Sequence, residues 1–221
     1  MHFFHAQGYS IQLEVLRGEE VAAFAEEADR VAKEAGSACV RHLRERSELF
    51  RKFAKSDKLL ALLPDGMRPV RSILFDKTPD ENWPVAWHQD LTITVEEQKE
   101  VEGYGPWSVK DGAPHVQPPV SLLENMITLR IHLDPTPEEN GALRVIPGSH
   151  LDGKSPTPKV SEKQEQSAVT CVCEPGDVLM MSPLILHASS RSTQPARRRI
   201  IHFEYARDAD LDPALEWHEP D

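Results

Sequence analysis

The chain has 221 residues, with 36 acidic against 25 basic side chains and a formal charge of −11. That length supports one domain with a sizeable core, and an acidic surface repels phosphate backbones, which argues against nucleic acid as a partner. The longest apolar run, VLMMSPLIL, is broken by Ser182 and Pro183; it falls far short of the roughly 20 residues a bilayer span needs, so no membrane partner is expected.

The N-terminal stretch MHFFHAQGYS has no basic segment leading into an apolar one, and the three cysteines are an odd number. Both point to reduced thiols and a cytoplasmic location. Cys171 and Cys173 read as alternating positions of a strand, because no second Cys/His pair stands at zinc-site spacing. The 18 prolines suit an all-β framework with long connections.

In chain order, IQLEVL at 11–16 alternates as a short strand. GEEVAAFAEEADRVAKEAG then predicts an amphipathic helix, with Val21, Phe24, Ala28, Val31 and Ala35 at steps of three and four. Glu19 and Glu20 suit its start and Gly36 its end. A second helical region is expected over 47–63, stopped by Pro64 and Gly66. From there the period changes to two. Strands are expected at 70–77, 86–95, 126–134, 142–146, 168–173, 177–182, 184–188 and 198–205. Residues 96–121, charged and rich in Pro and Gly, read as a lid-like insertion, and 151–166 as a solvated loop. Helices first and strands afterwards give a mainly β fold with flanking α-helices, led by a two-sheet, cupin-like jelly roll. The organisation is a single domain over 1–221: a helical flank to residue 65, a β core at 66–206 and a tail at 207–221.

Two positions on the strand WHQDLTITV carry metal-capable side chains, His88 and Asp90, which residue alternation aims the same way. A third, His187, closes the apolar run of GDVLMMSPLILHA. Two histidines and a carboxylate make the facial triad of non-haem iron(II) oxygenases, which leaves open positions for oxygen and an organic co-substrate. Arg197, Arg198 and Arg199 follow on a predicted strand, so at least one must face inward and needs an anion. A dicarboxylate such as 2-oxoglutarate fits a bidentate guanidinium. On the face opposite the apolar side of 126–134, Thr128 is a candidate hydrogen-bond donor to the co-substrate. Arg130 and Lys77 are candidates for an acidic substrate or co-substrate, and Trp107, His115 and Gln117 of the insertion for substrate contact. Trp87 is expected to wall the site.

WHQD, NGALRVIPGSH, GDVLMMSPLILHASS and the basic strand after them together resemble the phytanoyl-CoA dioxygenase family of Fe(II)/2-oxoglutarate-dependent oxygenases, over about residues 66–206. The resemblance implies a double-stranded β-helix. It places the metal ligands at His88, Asp90 and His187, and the grip on the co-substrate's far carboxylate at Arg198 and Ser189; Arg199 is the alternative if the strand slips by one. It further implies Fe(II), 2-oxoglutarate and O₂ as reaction partners and, with Asp90 in place, hydroxylation of a small organic substrate with release of succinate and CO₂. A metal-dependent jelly-roll enzyme without 2-oxoglutarate, or a non-catalytic binding protein, are the rival readings. The oligomeric state is left open.

Overall fold

The computed structural model describes residues 2–155, 160–194 and 196–219. The N-terminal part carries α1 (His2–Gln7), β1 (Tyr9–Gln12), α2 (Gly18–Ala35), β2 (Cys39–Arg41), α3 (Leu43–Arg46), α4 (Glu48–Ala54) and α5 (Asp57–Leu60). The strands β3 (Arg68–Lys77), β4 (Val85–His88), β5 (Ile93–Thr94), β6 (Trp107–Lys110) and β7 (Ala113–Val116) lead to α6 (Val120–Asn125) and β8 (Ile127–His132). Then come β9 (Leu143–Val145), α7 (Glu162–Gln166), β10 (Val169–Cys171), β11 (Val178–Met181), β12 (His187–Ser189) and β13 (Arg198–Ala206). One sheet has the order β1-β11-β8-β13-β3-β2 and a second β10-β9-β12-β4, all antiparallel, and together they form a jelly roll. A small sheet, β5-β7-β6, sits beside them.

Strand alternation decides what each face of the large sheet does. On β13, Ile201, Phe203 and Tyr205 join Leu129 and Ile131 of β8 in a core that also contains Phe24, Ala28 and Val31 of α2 and Phe50 and Phe53 of α4. Phe24 and Phe53 sit with ring centroids 4.2 Å apart, and Phe203 meets Phe53 edge-on. Each such side chain contributes about 1.5–3 kcal/mol on leaving water. Helix α2 shows why its sequence suits this role. Glu19 and Glu20 complement the dipole of its first turn, and Gly36 takes the left-handed conformation (φ 61°) that ends it. The other face of β13 turns Arg198, Ile200, His202 and Glu204 into the space between the sheets.

Several expected boundaries differ. The helical region 47–63 breaks into α4 and α5 at Ser56, which is extended and whose backbone carbonyl accepts the amides of Leu59 and Leu60 at the new helix start. The strand expected at 86–95 is two strands, β4 and β5, in different sheets. Between them the Asp90 amide donates to the Pro183 carbonyl, and Gln89 Nε2 donates to Leu184, so side-chain and loop bonds replace the ladder. The strand expected at 184–188 begins only at His187, after the turn at Ser182–Ile185. The insertion 96–121 holds the hairpin β6–β7 and the start of α6. Of the expected loop 151–166, residues 156–159 lie outside the described residues, and 162–166 form α7.

The chain's last described segment is tied down. Leu211, Leu215 and Trp217 are buried in a second apolar cluster, and Trp217 bridges to Val95. Glu219 is 1% exposed. Its carboxylate accepts from the Ser72 amide at 2.8 Å and hydroxyl at 2.8 and 2.9 Å, with Arg44 Nη1 at 3.5 Å. Burial pushes its pKa up to about 7, against the bonds from Ser72 and the charge of Arg44. An unfolded glutamate titrates at about 4.3, so between these values the folded chain holds a proton that the unfolded chain has lost. The contribution to stability is therefore full at acid pH and is lost as pH rises through about 7. We expect the unfolding free energy of the wild type, measured against Glu219→Gln by urea titration, to fall by on the order of 2 kcal/mol between pH 5 and pH 8. A difference that does not change with pH would contradict this account of the latch.

Candidate active site

His187 of β12 and His88 of β4 are direct antiparallel partners, which places their rings side by side with centroids 4.1 Å apart. Each ring is oriented by the carbonyl two residues before it, on β4 for His88 and in the turn ahead of β12 for His187. His88 Nδ1 lies 2.8 Å from the Ala86 carbonyl, and His187 Nδ1 2.9 Å from that of Ile185. A carbonyl only accepts, so both Nδ1 atoms carry the proton and both Nε2 atoms are bare lone-pair donors. Those Nε2 atoms converge on one carboxylate: His88 Nε2 is 3.8 Å from Asp90 Oδ1, and His187 Nε2 is 3.6 Å from Asp90 Oδ2. One donor atom from each of the three residues lies within 4.8 Å of the others.

The charge states match a cation site. Burial, then the neighbouring His88 and Arg130, pushes His187 down to about 4 against the pull of Asp90, so the ring is neutral near pH 7. Burial works against ionisation of Asp90. His187, His202, His88 and Arg71 outweigh it and hold the carboxyl well below the usual range. Two imidazoles with Nε2 turned inward and one carboxylate on one side of an open cavity are the donor set of a divalent non-haem iron site, and they fit it. Gln89 fixes the intervening backbone: Nε2 donates to Leu184 and Gly153, and Oε1 accepts from the Ser155 amide.

The cavity beside the triad is about 460 Å³ and takes residues from both sheets. At one end Arg198, only 6% exposed, donates to the Gly141 carbonyl and lies 3.4 Å from Ser189 Oγ, which also donates to Gly141. No carboxylate pairs with Arg198 among the described residues, and burial with the nearby Arg130 lowers its pKa to about 10. Its neighbours in sequence have such partners and point elsewhere. Arg197 pairs with Asp76 and Asp29, and Arg199 with Asp134 and Asp29. Lys77, opposite Arg198 in the sheet, donates to Trp83 O at 2.6 Å. Burial and the two arginines push it down to about 8. Gly141 (φ 69°) matters here, because a Cβ there would stand 2.6 Å from the Ser190 carbonyl oxygen.

Lys77, His88, Asp90, Gln117, Arg130, His187, Ser189 and Arg198 thus line one cavity. Thr128, Trp107 and His115 do not. Thr128 shares Arg130's side of β8, but it sits opposite Glu204 and Met181, deep between strands and fully buried. His115 is also fully buried, tied to Thr94 Oγ1 and the Ala113 carbonyl, and burial lowers its pKa to about 4. Trp107 packs on the second apolar cluster. Trp87 is not a wall either; Arg144 lies over its ring. Sequence reasoning passed over His202, Glu204 and Arg71. Arg130 Nη1 donates to His202 Nδ1, so His202 Nε2 carries the proton and donates to Glu204 at 3.1 Å, which Arg71 also contacts at 3.1 Å. His202 and Glu204 share Arg198's face at even spacing, a signal that was present in the sequence. His42, Glu45 and His218 also bring donor atoms within 4.8 Å, but they line no part of this cavity, and His218 is held by Glu96.

Comparison with known proteins places this geometry. HygX from Streptomyces hygroscopicus, solved with nickel and 2-oxoglutarate bound, superposes with a TM-score of 0.67 at 17% identity, covering 94% of this chain and 85% of its own. The non-haem α-ketoglutarate-dependent epimerase SnoN from nogalamycin biosynthesis gives 0.70 at 20% identity, covering 93% and 79%. AviO1 from Streptomyces viridochromogenes Tue57 gives 0.67 at 21% identity, covering 96% and 95%. These likenesses establish the shared fold. No curated protein matches the sequence. The model of the phytanoyl-CoA dioxygenase family matches residues 4–200. The chain belongs to the phytanoyl-CoA dioxygenase family, whose members work with iron, 2-oxoglutarate and O₂.

Proposed function

We propose that the protein is an Fe(II)/2-oxoglutarate-dependent dioxygenase that hydroxylates a small organic substrate. His88, Asp90 and His187 hold the metal through Nε2, a carboxylate oxygen and Nε2. Arg198 and Ser189 hold the far carboxylate of 2-oxoglutarate, on the seat made by the Gly141 carbonyl. When bound, Fe(II) and 2-oxoglutarate supply the oxidant from O₂, and the co-substrate leaves as succinate and CO₂. The chain orients and insulates. Ile73, Phe75, Leu91, Leu143 and Ile200 give the cavity apolar walls, and the lone pairs of His88 and His187 are aimed before anything binds.

One observation carries this reading. A buried guanidinium without a carboxylate partner among the described residues shares a cavity with a His–Asp–His donor set whose Nε2 atoms are both turned inward. An unpaired buried charge costs several kcal/mol, so Arg198 calls for an anionic ligand, and the far carboxylate of 2-oxoglutarate supplies one in the cavity that holds the donor set. The three free cysteines support a cytoplasmic setting; Cys171 and Cys173 are buried, with pKa values pushed up to about 12 by burial. No described helix is long and apolar enough to cross a membrane.

Two measurements test the reading. Losing one partner of a buried charge pair costs about 2–5 kcal/mol, so Arg198→Ala raises the half-saturating 2-oxoglutarate concentration at least ~thirtyfold. Arg199→Ala leaves it near the wild-type value; the reverse pattern puts the strand register off by one. In ¹⁸O₂, pools of small organic compounds screened for stimulated succinate formation yield a product carrying one labelled oxygen, and Asp90→Ala abolishes it. A product without label overturns hydroxylation, and an Asp90→Ala enzyme with full turnover overturns the ligand assignment.

A further inference from the structure

The protein carries a strong negative charge overall, yet its cavity is cationic. Six basic side chains, Arg41, Arg71, Lys77, Lys110, Arg130 and Arg198, line it against two carboxylates, Asp90 and Glu204. The register of β13 on β3 sorts these into two ends. Arg198 pairs with Lys77, whereas Glu204 pairs with Arg71, six residues away along each strand. At about 3.3 Å per residue the two ends stand roughly 20 Å apart along the sheet. The triad faces the stretch between them. Asp90 feels His202 of that stretch and also Arg71.

The end at Arg71 is built from three separate elements. Arg71 is on β3, Arg41 is on β2 opposite Ile73, and Lys110 ends β6 in the insertion. Little at this end neutralises them. Arg71 has Glu204, which His202 also uses. Arg41 has Asp111, itself half in solvent, and its buried Nε has no hydrogen-bond partner among the described residues. Lys110 is an exposed residue bordering the cavity; it forms no ion pair among the described residues, and partial burial followed by Arg71 and Arg41 lowers its pKa. Three cations converging on one apolar-walled end repel one another, and an anion between them relieves that repulsion.

We propose that this end binds the anionic head of the substrate, which is therefore a small carboxylic acid with an apolar body. The inference rests on the Fe(II)/2-oxoglutarate reading of the site, which assigns the opposite end to the co-substrate. The acid's body then lies along Ile73, Phe75 and Leu91, between Lys110 and the metal ligands. The insertion becomes a specificity element, because its hairpin delivers the lysine.

Calorimetry on the full chain separates the two readings. In the first step 2-oxoglutarate is titrated into protein loaded with Ni(II). In the second, the doubly loaded protein is titrated with octanoate, decanoate and hydrocinnamate, each beside its primary amide. The expected result is at least one acid bound about tenfold or more tighter than its amide, the scale of one charge pair in a partly dry site. Lys110→Met, which has no ion pair to lose, and Arg41→Met weaken that acid at least about fivefold more than they weaken 2-oxoglutarate. If 2-oxoglutarate binds but acids and amides bind alike, or none binds, the head-group inference is overturned and the cofactor reading stands. Variants that weaken 2-oxoglutarate as much as the acid also overturn it. If 2-oxoglutarate itself does not bind, both fall.

Discussion

Along β13, Ile201, Phe203 and Tyr205 press against α2 and α4, while Arg198, Ile200, His202 and Glu204 enter the cavity. Both faces of one strand are buried, and they obey opposite rules. The first is ordinary apolar core. The second places a guanidinium, an imidazole and a carboxylate away from water, where each must find a partner. The polar face is tolerable because the apolar face is so well packed: Phe24, Phe50, Phe53, Phe203 and Tyr205, whose hydroxyl donates to Ala54 O at 2.9 Å, hold the strand in one register. A slip of one residue would exchange the faces and bury His202 among the phenylalanines. Arg199 guards the same register, since it binds Asp134 in the bend after β8 and Asp29 on α2.

The triad depends on that stiffness but uses a different local device. Each histidine donates its Nδ1 proton to the carbonyl two residues earlier, so the backbone leading into the ring also sets its tautomer. Asp90 has left the ladder, and its place comes from Gln89 and from its own amide bond to Pro183, which hook it to the turn preceding His187. The three donors therefore belong to one rigid unit although their positions in the chain are far apart. Metal sites gain affinity from such support because little ordering is left to the binding step.

The period-two pattern made the large strands legible, and the apolar steps of three and four made α2 legible. The ligand spacing H-x-D and the arginine run drew attention to stretches that meet at one cavity. What the sequence did not disclose follows from tertiary bonding. Nothing local in WHQDLTITV says that the ladder stops at His88; the stop comes from the turn at 183–184, distant in the chain. Thr128 and Arg130 alternate identically, yet only Arg130 reaches the cavity, because strand position along the sheet, not face alone, decides access. His115 and Trp107 sit on a charged insertion that reads as a loop, but a hairpin there creates its own small interior, and both side chains help fill it. His202 and Glu204 were hidden for a simpler reason: in IIHFEY they look like the polar side of an edge strand, and only the second sheet makes that side an inside.

Charge placement links these levels. An acidic exterior and a cationic interior require that the sheets shield one from the other, and the basic residues at the ends of β3 and β13 are kept apart by the length of the strands that carry them. The hydrogen-bonded row Arg130–His202–Glu204–Arg71 runs between the two cationic ends. Glu204 offsets part of the repulsion at one end, and no described carboxylate does so at the other. A carboxylate beside Arg198 would fill that end of the cavity with the protein's own charge; among the described residues the guanidinium is tied to a neutral carbonyl and a hydroxyl. Those neutral contacts orient Arg198 without satisfying its charge, which is the condition under which an incoming dianion gains most from binding.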